Sequence, residues 1–185
     1  MSCQTLPLLW LLSDARNDAV LERALHELPK GSGFVFRHHH LTDEAWAKRL
    51  EELLKLAETR EFWTLVPARR VTCTQMHLNG AQGCLAGIYG PSDRLETDNL
   101  PLFATAHNEA EILAANAAGA KAVFLSPVFP TRSHPGAASL GPERFRKLAA
   151  KAEMPVIALG GMTAAKAGEL GWPRWAAIGG LSPIT

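Results

Sequence analysis

One local pattern, repeated near the C-terminal end, constrains the fold more than any other feature of this chain. A short apolar run ends in a loop of glycine, proline and hydroxyl residues, first at Ala122 to Leu125, closed by Pro127, and again at Val156 to Leu159, closed by Gly160-Gly161. Each run is too short for a helix and carries β-branched or aromatic side chains, so each reads as a buried strand. Between them Pro142 stands just inside a segment with Phe145, Leu148, Ala149 and Ala152 on one face, and proline suits the first helical position. Strands alternating with helices over short links form a parallel sheet with crossovers.

The same alternation continues upstream. Leu8 to Leu12 reads as a first strand, and Val20, Leu21, Ala24, Leu25 and Leu28 recur at helical spacing until Pro29-Lys30-Gly31. Gly33 to His38 reads as the second strand. Thr42, with Asp43 and Glu44, is a capped and acid-biased start for a helix whose stripe is Trp46, Leu50, Leu53, Leu54 and Ala57. Phe62 to Val66, Gln75 to Leu78 and Leu102 to Ala106 read as strands three to five. Ala68 to Thr74 has room for barely one helical turn. Asn79 to Leu100, with five glycine or proline positions and no helical stripe, reads as irregular loop. Asn108, with Glu111 three residues on, forms a capping-box pattern ahead of an apolar face of Ile112, Leu113 and Ala117. Thr163 to Leu170 is a short helix, and Arg174 to Ile178 the last strand. The fold expected is α/β: one domain over residues 1–185, a closed but shortened (β/α)8 barrel of the TIM type, with an open doubly wound sheet as the alternative. Such barrels usually take about 250 residues. A chain of 185 residues is therefore expected to keep eight strands but fewer than eight full outer helices.

Composition narrows the function classes. With 47% hydrophobic residues, 20% charged residues and a net charge of +1, the chain has ample core and no basic excess for bulk nucleic-acid binding. Leu6 to Leu12 is too short for a membrane span and lacks the flanks of a signal peptide. Cys3, Cys73 and Cys84 are odd in number and have no C-x-x-C spacing, which suits reduced thiols in a cytoplasm.

The two loops look built to hold an anion. Ser126, Thr131 and Ser133 offer hydroxyls, Arg132 and His134 offer positive charge, and Gly160-Gly161 lets backbone approach a ligand before Thr163 caps a helix. A helix start presents free N–H groups and the positive end of its dipole. Arg37-His38-His39-His40 is a second candidate. Alternate strand residues share a face, so this run reads as a metal-binding pair, as a substrate-facing Arg37 and His39, or as solvated polar residues. No Asp, Glu or Cys accompanies it at ligand spacing, so no metal site is assigned. His77 and His107 end apolar runs, where a hydrogen-bonded structural role competes with proton transfer.

SPVFPTRSHPGAASLG followed by PVIALGGM resembles the signature of the thiamine phosphate synthase family and its TenI-like thiazole tautomerase relatives. Upstream the likeness is in outline only: LLWLLSD resembles the family's first strand, MHL its VHLG, and ATAHNEAE its SVHS-x-E-E. The resemblance implies a (β/α)8 barrel that holds a phosphorylated thiazole at its C-terminal mouth and joins it to a hydroxymethylpyrimidine with release of diphosphate. Thr105, Thr131, Ser133, Gly160, Gly161, Ile178 and Gly179 align with ligand-contacting positions, and His134 with a phosphate-loop lysine. Of the family's Q-x-R-x-K pattern on strand two, Val35, Arg37 and His39 keep only the arginine. Pro67 and Ala68 stand where the family has Asn-Asp near magnesium, and Asn79 to Gln82 hold no acid after MHL. Magnesium is thus expected only where a substrate diphosphate brings it, with Asp93, Glu96 and Asp98 as the remaining acids in reach. Pro127 occupies the tautomerase's catalytic histidine position. The catalytic candidates are Arg37, His39, His107 and His134. The alternatives to a synthase are a non-catalytic or regulatory binder of a thiazole or thiamine phosphate, and a TenI-like acid–base isomerase. The expected partner is a small phosphorylated heterocycle, without nucleic acid or membrane; assembly into a homo-oligomer is left open.

Overall fold

The computed structural model describes residues 5–70, 85–92, 100–131, 136 and 138–181. Eight parallel strands close into a barrel in chain order: β1 Leu9–Leu12, β2 Gly33–Val35, β3 Trp63–Pro67, β4 Leu85–Pro91, β5 Leu102–Ala106, β6 Ala122–Leu125, β7 Val156–Ala158 and β8 Trp175–Ala177. Closure is made by β8 against β1, with Leu9 opposite Trp175 and Leu11 opposite Ala177. That excludes the open doubly wound sheet. The α-helices among the described residues are α1 Leu21–Glu27, α2 Asp43–Thr59, α3 Glu109–Ala117, α4 Gly141–Ala149 and α5 Ala164–Leu170. Short 3-10 turns, Ala68–Arg70 and Gly179–Leu181, follow β3 and β8.

Strand alternation sorts the core into two shells. Trp10, Leu12, Val35, Leu65, Phe103, Phe124, Ile157 and Ala176 point inward and pack together, with Tyr89 against them. Leu11, Phe34, Phe36, Val66, Ile88, Val123 and Leu125 point outward into the layer shared with the helices. The barrel is therefore filled, as this architecture requires. Its largest plug is Trp10, whose ring lies 5.6 Å from Phe103 and 5.5 Å from Phe124. Gly33 makes room for it, since a Cβ there would meet the Trp10 ring at 2.0 Å.

Most elements fall where the pattern of apolar residues puts them. Thr42 caps α2 by accepting from Ala45 N, and Trp46, Leu50, Leu53, Leu54 and Ala57 are all buried. Asn108 caps α3 by accepting from Glu111 N, while the Glu111 carboxylate accepts from the Asn108 amide and from His107 N. Three expectations are corrected. The stretch from Asn79 to Leu100 is not loop throughout, because Leu85–Pro91 is the fourth barrel strand; Gln75 to Leu78 lies outside the described residues. The buried face of α3 is Ile112 and Ala115, whereas Leu113 is 51% exposed and Ala117 is also exposed. The second strand stops at Val35 rather than His38, whose φ of 34° turns the chain out of extended structure. No helix among the described residues is long and apolar enough to cross a membrane. The three cysteines lie outside the described residues.

Candidate functional site

All eight strands run the same way, so the loops after them meet at one mouth, and each candidate residue is positioned by the end of its strand. On the side formed by β6 and β7, the two loops are tied by backbone bonds. Val128 N donates to Leu159 O at 2.9 Å and Phe129 N to Gly160 O at 3.0 Å; Leu140 N and Gly141 N return to Pro127 O and Val128 O at 2.8 and 2.9 Å. These bonds need glycine. Gly160 and Gly161 have φ of 94° and 63°, and a Cβ would meet Pro127 at 2.6 Å in the first case and Pro130 O at 2.4 Å in the second. The two glycines thus serve first to let one loop lie on the other. They also leave the Gly160 and Gly161 N–H groups without an acceptor among the described residues. Thr163 caps α5 through Lys166 N, and Lys166 Nζ donates to Gly161 O at 3.1 Å while lying 5.0 Å over the Phe129 ring. Thr131 follows Pro130 directly. Gly179 opens the turn after β8 with nothing within 4 Å of a Cβ, next to Ile178. Ser133 and His134 lie outside the described residues.

The opposite side is made of charged side chains. Arg37, just past β2, donates from Nε to Ser13 O at 3.1 Å and pairs through Nη2 with Asp14 Oδ2 at 3.3 Å. Asp14 is also held by Arg16. Burial pushes the Asp14 carboxyl up, but hydrogen bonds from Arg16 and the charges of Arg16 and Arg37 outweigh it and leave its pKa lowered. Tyr89 lies within reach of the Arg37 charge. Burial, opposed in part by Arg37, raises the phenol's pKa, so Tyr89 stays a neutral donor.

His38 and His39, adjacent in sequence, part company. His38 is fully buried and stacked 4.6 Å from Phe36. Asp18 beside Nε2 can only accept, which favours the imidazole proton on Nε2, so Ser13 Oγ, which accepts from Arg37 N at 3.0 Å, donates to His38 Nδ1 2.8 Å away. Nε2 lies 2.9 Å from Asp18 Oδ1 although off the hydrogen-bond line. Arg49 holds Asp18 from the far side at 2.8 Å. His38 is therefore structural. His39 is exposed; partial desolvation, then the charges of Arg69, Arg37 and Arg70, lower its pKa to about 4. A neutral imidazole is no anion clamp near pH 7. Thr105 sits on β5 with its register partners Pro91 and Phe124. His107, just past β5, approaches Ser126 O at 2.8 Å through Nδ1. A carbonyl can only accept, so Nδ1 carries a proton and donates it to Ser126 O.

Magnesium needs hard oxygen ligands, usually carboxylates. β3 ends in Pro67 and Ala68, followed by Arg69 and Arg70, and no group of three His, Cys, Asp or Glu residues able to hold a metal occurs among the described residues. Of the described carboxylates in the loop after β1, Asp14 is engaged by Arg16 and Arg37 and Asp18 by Arg49. The described donor set does not fit the ion. The acids after β4, Asp93, Glu96 and Asp98, lie outside the described residues. Tyr89 and Asp14 escape a reading of the sequence, Tyr89 because its strand looks like loop, Asp14 because nothing in sequence places it beside Arg37.

A family model described as thiamine monophosphate synthase matches residues 10–181. An Aquifex aeolicus (strain VF5) protein named "Putative thiamine-phosphate synthase 2" is 27% identical over 161 residues, spanning 85% of this chain and 87% of that protein. A solved structure of thiamine phosphate pyrophosphorylase from Pyrococcus furiosus superposes with a TM-score of 0.72 at 22% identity, covering 92% of this chain and 84% of that one. A designed cube-shaped protein cage, made by fusing symmetric oligomeric domains, shares the fold at a TM-score of 0.65 and 16% identity, over 95% of this chain and 64% of that one.

Proposed function

Because the chain belongs to the thiamine monophosphate synthase family, we propose that it serves thiamine biosynthesis as a synthase-like transferase. It holds a phosphorylated thiazole on the β6–β8 side of its mouth. The thiazole nitrogen forms a C–N bond to the methylene carbon of a hydroxymethylpyrimidine, the C–O bond to diphosphate breaks, and diphosphate leaves. The observation that supports this best is the interlocked pair of loops after β6 and β7, with Gly160 and Gly161 N–H groups unpaired among the described residues. With Gly179 N–H, Ile178 and Thr131 beside them, they suit the thiazole's phosphate. Ser133 and His134 extend the same loop. Across the mouth, Arg37 and the Tyr89 hydroxyl offer fixed donors where charge builds on the leaving group, and fixed donors stabilise developing charge without reorganising. Orientation of the two partners supplies the rest.

Calorimetric titration with thiazole phosphate, together with a product assay using both substrates, tests this. Binding plus formation of thiamine phosphate supports it. Absence of thiazole phosphate binding overturns it. Pro67 and Ala68 at the end of β3 favour a second reading, a non-catalytic thiazole or thiamine phosphate binder, which binding without product would support.

A further inference from the structure

Where β2 and β3 end, the mouth carries an excess of positive charge that the phosphate loops do not use. The 3-10 turn Ala68–Arg70 is pinned there by Arg70, which pairs with Asp43, donates to Leu41 O at 2.8 Å and lies 5.4 Å over the Trp46 ring. That fixes the backbone at its neighbour Arg69, whose side chain is exposed and has no carboxylate partner among the described residues. Arg37 enters from β2, already aligned by Ser13 O and Asp14. The described carboxylates on this side are committed. Asp14 is shared by Arg16 and Arg37, Asp43 takes Arg70, and Asp18 takes Arg49 and faces His38. His39 feels the charges of Arg69, Arg37 and Arg70, and the neighbouring His38 and His40 rings are 5.3 Å apart. A divalent cation would be repelled here. A multiply charged oxyanion would be attracted, and guanidinium groups bind phosphoryl oxygens in a fixed two-pronged geometry.

We propose that Arg69, together with Arg37 and the His39 imidazole, forms a diphosphate subsite that works without a metal ion, guanidinium charge standing where a divalent cation would otherwise neutralise the group. The subsite rests on the reading that this mouth handles phosphorylated substrates, and it assigns Arg69 a binding role. It also couples to protons. The charges that hold His39 near pKa 4 are the ones an anion would offset, so binding raises that pKa and draws a proton from solvent.

The experiment is calorimetry of inorganic pyrophosphate with the full chain at pH 6, in EDTA and in magnesium, in buffers of different protonation enthalpy. Affinity in EDTA should stay within about twofold of that in magnesium. Arg69→Gln should weaken binding by about tenfold or more and Arg69→Lys by less, since a charged, forked contact is lost in the first and only the fork in the second. His39→Asn should keep most of the affinity and abolish the proton uptake. Binding that disappears in EDTA, or wild-type affinity in Arg69→Gln, overturns the subsite. Thiazole phosphate titrated into the same proteins separates the two claims. Its binding should be untouched by Arg69→Gln, and its failure to bind wild type would count against the family-based reading while leaving the pyrophosphate result to decide this one.

Discussion

Gly179→Asp is the substitution that best isolates the phosphate site. A carboxylate at Gly161 would also repel an anion, but φ of 63° and a Cβ contact of 2.4 Å with Pro130 O would break the loop pairing before charge mattered. The strain alone is about 1–3 kcal/mol, added to the loss of hydrogen bonds worth about 0.5–1.5 kcal/mol each. Gly179 has neither problem, because nothing lies within 4 Å of its Cβ position and its φ is outside the left-handed region. Folding stability should therefore move by no more than about 0.5 kcal/mol. Two unit charges about 5 Å apart repel by about 1–3 kcal/mol at effective dielectrics between about 20 and 80. Binding of thiazole phosphate should weaken by about tenfold to hundredfold, less so at high salt. Gly179→Asn, similar in shape and neutral, should bind close to wild type. Calorimetry of the three proteins with matched melting curves is the assay. Equal affinity in Gly179→Asp, or an equal loss in Gly179→Asn, would refute the placement of the phosphate.

Leu53 is 1% exposed on the barrel-facing stripe of α2, so Leu53→Ala should cost about 2–5 kcal/mol; an unchanged melting curve would mean the stripe is not core. Gly33→Ala would drive a methyl into the Trp10 ring and should destabilise by about 1–3 kcal/mol or more, read as a lower unfolding midpoint and a changed tryptophan emission; wild-type stability would show that Trp10 does not plug the barrel. His39, with a folded pKa of about 4 against about 6.5 in the unfolded chain, remains neutral in the native state while the unfolded state takes up a proton. Stability should fall as pH drops from about 6.5 toward 4, with buried His38, also lowered chiefly by desolvation, adding to the slope. His39→Asn should flatten part of it, and a ring resonance of His39 titrating near 6.5 would sink that assignment.

How much of this was legible in sequence depends on whether a local rule or a distant contact decides each element. Thr42, Asn108 and Thr163 cap helices within three residues of themselves, so their helices can be read from the chain alone. β4 could not. Gly87 and Gly90 look like loop punctuation, yet Gly87 is glycine because a Cβ would lie 2.3 Å from Pro101 O and 2.9 Å from Phe103. That is a demand made by the neighbouring strand, invisible in the segment itself. Losing β4 also hid Tyr89, an inward ring 5.1 Å from Phe124 and within reach of the Arg37 charge. On α3 the alanine-rich sequence marks the face weakly, and taking Leu113 and Ala117 with Ile112 turned it the wrong way, since Ile112 and Ala115 are the buried pair.

The two halves of the mouth differ in the same sense. The side proposed to take the phosphate is made of backbone, and the shape of a glycine turn is a property of a few consecutive residues, so the Gly160-Gly161 turn could be picked out by pattern. The β2–β3 side is made of side chains whose meaning is set by what they meet. His38 and His39 have the same chemistry and adjacent numbers; one is buried between Ser13 and Asp18, and the other is exposed to the charges of three arginines. Position-by-position matching at the end of β3 stops at Pro67 and Ala68, where carboxamide and carboxylate were sought, and reads a loss. Only the turn that follows, pinned through Arg70 to Asp43 and Trp46, brings Arg69 up to the mouth. Charge missing from one position has a physical equivalent one turn later and of opposite sign: a carboxylate must recruit a cation before it can hold an anion, whereas a guanidinium holds the anion directly.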